Sequence, residues 1–161
     1  MFRKKKSKEQ EFQEALAELR ALPRPALDFT TPEGAILCLE DAMRRRDIEA
    51  AVACKDFQIE AVLLLLKTGF DPGDEEMLAE AAKTLELGYR AELSGSWPDM
   101  DGVESFFVEE QHDPDFEDLS MRLITELTLM TDGTLCQTIM RVAKKHDTWR
   151  VIHPVSDEEA G

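Results

Sequence analysis

Hydrophobic periodicity changes once along this chain, and that change constrains the fold more than any other feature. Up to residue 93 the apolar residues recur at the spacing of amphipathic helices, and from residue 103 they alternate as in strands. Helices followed by a run of hairpin-connected strands are typical of the α+β class, in which helices pack on one face of an antiparallel sheet. The sequence therefore predicts N-terminal helices packed on a strongly curved antiparallel sheet. A chain of 161 residues fits one domain.

Each helical run is preceded by a side chain that can accept a backbone N–H bond at a helix start: Ser7, Thr31, Asp47, Asp56 and Asp74. Ser7 with Gln10 forms a capping box ahead of a helix over residues 8–21. Asp47 and Asp56 divide the stretch RRRDIEAAVACKDFQIEA into the end of one helix, a short second helix and the start of a third. These aspartates are predicted to cap helices and not to act in catalysis.

Strands are predicted over residues 103–112, 118–130, 134–145 and 148–155. Asp132-Gly133 between the second and third runs predicts a tight hairpin turn. In the last strand His153 follows Trp149 and Val151 at every second position, which places all three on the same side of a regular strand. His153 is therefore expected to face inward. An inward histidine is either a satisfied core residue or a general base.

The charge distribution separates a basic start from an acidic body. The net charge is −15, and five of the 19 basic residues lie within residues 1–8, ahead of a body with 14 bases, 34 acids and a formal charge of −20. Such a body repels phosphate backbones, which argues against nucleic-acid binding, and it attracts a basic protein. The alternative is that the charge serves solubility alone.

The sequence also indicates in which cellular compartment the protein is found. No apolar run approaches the roughly 20 residues that a membrane span needs, and no secretory signal is expected, because the basic start lacks an apolar segment behind it. Cys38, Cys54 and Cys136 have no paired spacing and are expected to be reduced thiols. We therefore expect a cytoplasmic protein without membrane contact.

Residues 91–121 contain ten acids and no lysine or arginine. We predict that this segment binds a basic protein partner, through Asp99, Asp101, Glu104, Glu109, Glu110, Asp113, Asp115, Glu117 and Asp118. The alternative is a solvated face whose charges discourage edge-to-edge aggregation. The alternating acids do not complete a calcium loop, so no metal site is expected.

Candidate pocket residues are Tyr89, Trp97 and His153, which could line a cavity between helices and sheet. The chain has no phosphate-binding glycine loop, serine nucleophile elbow or zinc signature. No acid and base can be paired at a defensible spacing. We expect no enzymatic activity, no catalytic residues and no cofactor.

Three sequence blocks resemble the nuclear transport factor 2-like superfamily: Thr31–Ala35 and Asp47–Ala51, each opening a helix, and Trp149-Arg150-Val151 in the last strand. The block Lys55-Asp56-Phe57, followed by Glu60-Ala61, is similar to the bacterial immunity proteins built on that fold. The resemblance implies a cone of helices on a curved sheet over residues 30–155. Residues 1–29 would be a basic segment with one helix, and residues 156–161 an acidic tail.

The same resemblance implies a protein that neutralises a bacterial toxin by docking on it and occluding its active site. It transfers no catalytic residues, and the matching positions are expected to be scaffold. The alternative is a small-molecule-binding or catalytic cone of the hydrolase, dehydratase or isomerase type. A homodimer that pairs through the exposed sheet face is also possible on this resemblance.

Overall fold

The computed structural model describes residues 5–113 and 120–155. Within them, five helices precede a four-stranded sheet: α1 (Lys8–Arg20), α2 (Pro32–Arg45), α3 (Ile48–Ala53), α4 (Phe57–Lys67), α5 (Glu75–Gly95), β1 (Glu104–His112), β2 (Met121–Leu129), β3 (Leu135–Lys145) and β4 (Thr148–Pro154). The predicted α+β class and the order of helices before strands are confirmed. None of the described helices has the length and apolar character needed to cross a membrane.

The predicted helix starts are confirmed. Each N-cap side chain accepts a hydrogen bond from the backbone N–H three residues on, which satisfies a donor that the first helical turn leaves open. Ser7 and Gln10 form the complete capping box. Arg46 takes a left-handed conformation with φ 53° and ends α2, so that Asp47 begins α3 one residue later. The predicted break within the arginine-aspartate stretch is therefore present.

The strands form an antiparallel meander in the order β1-β2-β3-β4. Its β2–β3 turn contains Gly133 at φ 88°, as the Asp-Gly pair predicts. One face of the sheet carries Ile124, Val142 and Trp149 in the main core beneath α2, α3 and α5. On the opposite face, set by the alternation of the strands, Ala143 packs in a smaller cluster with Leu63 of α4.

The two edges of the sheet differ. Along the outer edge of β4, Trp149 N donates to Phe29 O at 2.8 Å and Val151 N donates to Cys54 O at 2.8 Å. Asp56 N also donates to Val151 O at 3.2 Å. Loop and cap segments thus occupy that edge, whereas no described strand lies on the outer side of β1. Residues 108–112 of β1 are exposed.

The inward position expected for His153 is wrong. A register shift between β3 and β4 pairs Val142 with Val151 but Arg141 with His153, so Ile152 is an extra residue in β4. This bulge breaks the alternation, and His153 lies on the side of the sheet opposite the main core. Its Nδ1 atom is 2.9 Å from the Pro154 carbonyl in an exposed position.

Removing the buried cap of α4 is expected to cost more than removing an exposed cap of the same geometry. Asp56 is 5% exposed and accepts from Ile59 N at 3.1 Å, whereas Asp74 is exposed and accepts from Met77 N at 3.1 Å. We expect Asp56→Ala to lower the free energy of unfolding by about 2 kcal/mol, and Asp74→Ala by about 0.5–1 kcal/mol. Urea unfolding followed by circular dichroism measures both, and equal losses would contradict the role of burial.

Candidate functional site

Asp113, predicted as part of the acidic surface, is buried. Its side chain is 1% exposed, and its Oδ2 accepts a hydrogen bond from Arg141 Nε at 2.7 Å in an ion pair whose arginine side chain is 7% exposed. Arg141 lies in the middle of β3, and Asp113 follows the end of β1. The prediction for this residue is therefore wrong: Asp113 holds the sheet together and is not available to a partner.

Two further predicted acids lie beside arginines from other elements. Glu104 makes a bidentate contact with Arg20 of α1, at 2.6 and 3.1 Å, and this hydrogen bonding lowers the pKa of Glu104. Glu110 lies 3.7 Å from Arg122 of β2. The segment lacks basic residues in sequence, but the fold brings them to it.

The remaining described acids among the predicted partner-binding residues are exposed and fall in two places. Asp99 and Asp101 lie in the loop before β1, where Asp99 accepts from the Asp101 backbone N–H at 3.1 Å. Glu109 lies beside Glu110 in the exposed part of β1. These residues thus form a loop group and a strand group rather than one continuous surface. The predicted residues Asp115, Glu117 and Asp118 lie outside the described residues.

The three predicted pocket residues are not brought together. Tyr89 and Trp97 pack, half-buried, against the main core, whereas His153 lies on the other side of the sheet. The Tyr89 ring lies 5.7 Å from the Phe57 ring. Burial raises the pKa of Tyr89, and its hydroxyl is buried without a hydrogen-bond partner in the described residues.

Lys55, from the block that carries the family resemblance, is a buried cation at the junction of α3, α4 and β4. Its Nζ donates to the Ile152 carbonyl, lies 3.4 Å from Glu60 Oε2 and stands 5.1 Å from the centre of the Tyr89 ring. Burial lowers the pKa of this lysine. A cleft of about 760 Å³ opens beside it, between α4 and α5. These contacts tie α4 to β4, which agrees with the scaffold role expected for this block.

A carboxyl pair, the buried Glu126 with the half-buried Glu40, was not found from the sequence. Ser105 of β1 donates to Glu40 Oε1 of α2 at 2.7 Å. Glu126 of β2 interacts with both residues, is 6% exposed, and has a buried Oε2 without a hydrogen-bond partner in the described residues. Burial first, and then the hydrogen bond and charge of Glu40, raise the pKa of Glu126 to about 9. At neutral pH Glu126 therefore retains its proton.

This pair borders a pocket of about 320 Å³ between α2, the start of β1 and the connector after α1. Glu40 and Ser105 line it, together with the apolar side chains Leu27, Leu37, Val103 and Phe107, and with Arg24 and Arg44. A cavity with apolar walls and a few polar groups is the usual form of a small-molecule site. The sole sequence signal for it is an acid in the middle of an apolar strand.

The described residues contain no group of three or more histidine, cysteine, aspartate or glutamate side chains arranged to hold a metal ion.

Comparison with known proteins gives no match: no family model, no curated protein and no solved structure is significantly similar to the chain.

Proposed function

We propose that the protein is an immunity-type binding protein that docks on a cognate bacterial toxin and occludes its active site. The observation that carries this proposal is the exposed half of β1. It lies at an edge of the sheet without a described neighbouring strand, and it bears two adjacent exposed carboxylates, Glu109 and Glu110, of which Glu110 also lies 3.7 Å from Arg122. We refer to residues 108–112 as the acidic edge.

Backbone and side chains of the acidic edge are both suited to a partner. The outer backbone groups of an edge strand are able to pair with an added strand. Val108 lies at a bulge in β1 and is 43% exposed, which offers apolar contact next to the carboxylates. Glu33 of α2 lies near Glu110. Burial raises the pKa of Glu33, and the charge of the Glu110 carboxylate raises it further. Acidic side chains from α2 and β1 are therefore close together at this end of the sheet. A basic toxin surface is its electrostatic complement.

The fold-level part of the proposal is that the helices and sheet form the cone of the nuclear transport factor 2-like superfamily. Its support is the order of helices before a four-stranded antiparallel meander and the burial of α2 against β4 in the main core. A cytoplasmic location is proposed from the thiols. Cys54 is buried and unpaired, and burial raises its pKa to about 12, as suits a reduced structural cysteine.

Co-expression with the product of the neighbouring upstream gene tests the function directly. We expect a stable complex on co-purification, and survival of cells that express both proteins where the neighbour alone is toxic. If no complex forms and no protection is seen, the immunity proposal is wrong.

Charge reversal in the acidic edge is expected to slow association with the toxin. Glu109→Lys with Glu110→Lys replaces attraction by repulsion, so the association rate at low salt should fall by about tenfold or more, with a smaller effect at high salt. Stopped-flow fluorescence at several salt concentrations measures it. Glu18→Lys with Glu80→Lys is the matched control, because it changes net charge equally at exposed sites on α1 and α5. Equal rates for the two double variants would place docking elsewhere.

A second candidate function, binding of a small molecule, is favoured by one specific observation. The pocket beside Glu40 and Ser105 adjoins an acid with a strongly raised pKa. Buried carboxyl groups that retain a proton at neutral pH are frequent in ligand-binding and catalytic sites. This candidate includes the hydrolase, dehydratase and isomerase types, and it is compatible with toxin docking at β1.

A further inference from the structure

The backbone of the acidic edge has hydrogen-bonding groups that no described strand uses. Asp113, directly after β1, donates from its backbone N–H to the Met121 carbonyl of β2 at 3.2 Å. Along a strand of an antiparallel pair, successive residues direct their N–H and C=O groups alternately toward the neighbouring strand and away from it. The backbone groups of Gln111 therefore face β2, whereas those of Glu110 and His112 face outward from the sheet.

Hydrogen bonds on the other side of β2 agree with this alternation. Ser120, just before β2, accepts from Lys144 N at 3.2 Å, and Met130, just after it, donates to the Thr134 carbonyl at 2.8 Å. Even-numbered residues of β2 thus face β3, and odd-numbered residues face β1. The register between β1 and β2 is constant from residue 109 to residue 112, so the same directions hold throughout the second half of β1.

The open part of β1 is this second half. In the first half, Glu104 is held by Arg20 of α1 at 2.6 Å, and Phe106 is buried. The side chains of residues 108–112 are all exposed. Since loop and cap segments occupy the β4 edge, the acidic edge is the place in the described part of the chain where the sheet can accept a further strand.

The two carboxylates of the acidic edge lie on opposite faces of the sheet. Glu110 is paired with Ile124, a residue of the main core, and directly opposite residues of a strand pair share a face. Its neighbour Glu109 therefore lies on the other face. Glu109 makes no ion pair within the described residues, whereas Glu110 lies 3.7 Å from Arg122. A strand added here meets one carboxylate on each of its faces.

We propose that the acidic edge receives an extended strand of the toxin that carries two consecutive basic residues. Its backbone hydrogen-bonds to the outward N–H and C=O groups of Glu110 and His112, and its basic side chains lie beside Glu109 and Glu110, one on each face. The inference rests on the proposed toxin docking and names the element of the toxin that docks. A second copy of this chain is a poorer occupant, because pairing two acidic edges brings like charges together.

NMR-detected amide hydrogen exchange in the free protein tests the backbone directions. After correction for intrinsic rates, the amides of Glu110 and His112 should exchange at least about tenfold faster than those of Gln111 and Asp113, because only the latter two are bonded to β2. Equal rates in the two groups, or the reverse order, would overturn the proposal.

Strand addition is tested with the peptide acetyl-Thr-Val-Lys-Lys-Val-Thr-amide and two matched peptides. One is N-methylated at every residue, which keeps both charges and removes the backbone donors, and the other has glutamate in place of each lysine. In NMR titrations at low salt, the unmodified peptide should bind with a dissociation constant below about 1 mM and shift the amides of Glu110 and His112 most. Both matched peptides should bind at least about tenfold more weakly.

A proline variant removes one outward donor from the protein itself. His112→Pro deletes an N–H that faces away from β2, and proline is tolerated at an edge strand in that position. We expect His112→Pro to bind the unmodified peptide at least about fivefold more weakly than His112→Ala, which keeps the donor. Circular dichroism checks that both variants are folded.

No shift of these amides with the unmodified peptide at up to about 5 mM, or equal binding of the N-methylated peptide, would overturn strand addition. Shifts of the same amides on raising the protein concentration alone would overturn it in favour of a second copy. Each of these results leaves the immunity function intact, because co-purification and protection are measured separately. Conversely, failure to form a toxin complex with an intact peptide response would refute the immunity function and leave the strand-binding edge in place.

Discussion

Replacing Asp113 with alanine is expected to lower the free energy of unfolding by up to about 3–5 kcal/mol. The change leaves the Arg141 guanidinium, whose side chain is 7% exposed, without the carboxylate that lies 2.7 Å from it. A buried charge that loses a carboxylate at this distance keeps its desolvation cost and loses that carboxylate's attraction. The loss should therefore be several times larger than for any exposed acid of the same segment.

Urea unfolding followed by circular dichroism measures this, with Asp99→Ala as the matched control, since Asp99 is exposed in the same acidic segment. That control should change stability by less than about 0.5 kcal/mol. The double variant Asp113→Leu with Arg141→Met replaces both charges by apolar groups and should recover much of the loss. A loss below about 1 kcal/mol for Asp113→Ala alone would show that the buried pair has no structural role.

The free energy of unfolding is expected to fall as the pH rises above the ordinary pKa range of glutamate. The substitution Glu126→Gln should remove most of this pH-dependent loss. The pKa of Glu126 is raised from 4.5 to about 9 on folding, first by burial and then by Glu40. Between these values the folded state holds a proton that the unfolded state has released, so stability decreases with rising pH. One group accounts for at most about 1.4 kcal/mol per pH unit.

From about pH 5 to about pH 8 the wild-type protein should therefore lose up to about 4 kcal/mol more than the glutamine variant. Glutamine is neutral throughout, so Glu126→Gln should be the more stable protein near pH 8. Chemical unfolding at a series of pH values measures the difference, with Glu80→Gln as the control for an exposed acid. Parallel pH profiles for the wild-type protein and Glu126→Gln would contradict the raised pKa.

Local sequence signals predicted the bounds of the helices and strands closely. The helix predicted over 8–21 spans Lys8–Arg20, and the strand predicted over 103–112 spans Glu104–His112. Caps, turns and periodicity act over a few residues, so a single sequence contains them. The same reasoning failed at His153, because one extra residue in β4 shifts the alternation and no local signal marks that bulge.

The candidate sites depend on contacts between distant parts of the chain. Arg20 and Glu104 are 84 positions apart, and Asp113 and Arg141 are 28 apart. The acidic composition of residues 91–121 was visible in the sequence, but the arginines that contact three of its acids belong to α1, β2 and β3. Glu40 and Glu126 likewise meet only when α2 lies over β2. Burial, which gives Glu126 its raised pKa, is a property of the packed core and not of the local sequence.

The unequal edges of the sheet limit how copies of this protein can associate. Growth of a continuous sheet from copy to copy needs two free edges on every molecule, since each addition is head-to-tail. Here the β4 edge is occupied by Phe29, Cys54 and Asp56 through backbone hydrogen bonds. Pairing through β1 can therefore join two molecules about a two-fold axis and then stops. The protein can present one strand edge to a partner without being able to polymerise through its sheet.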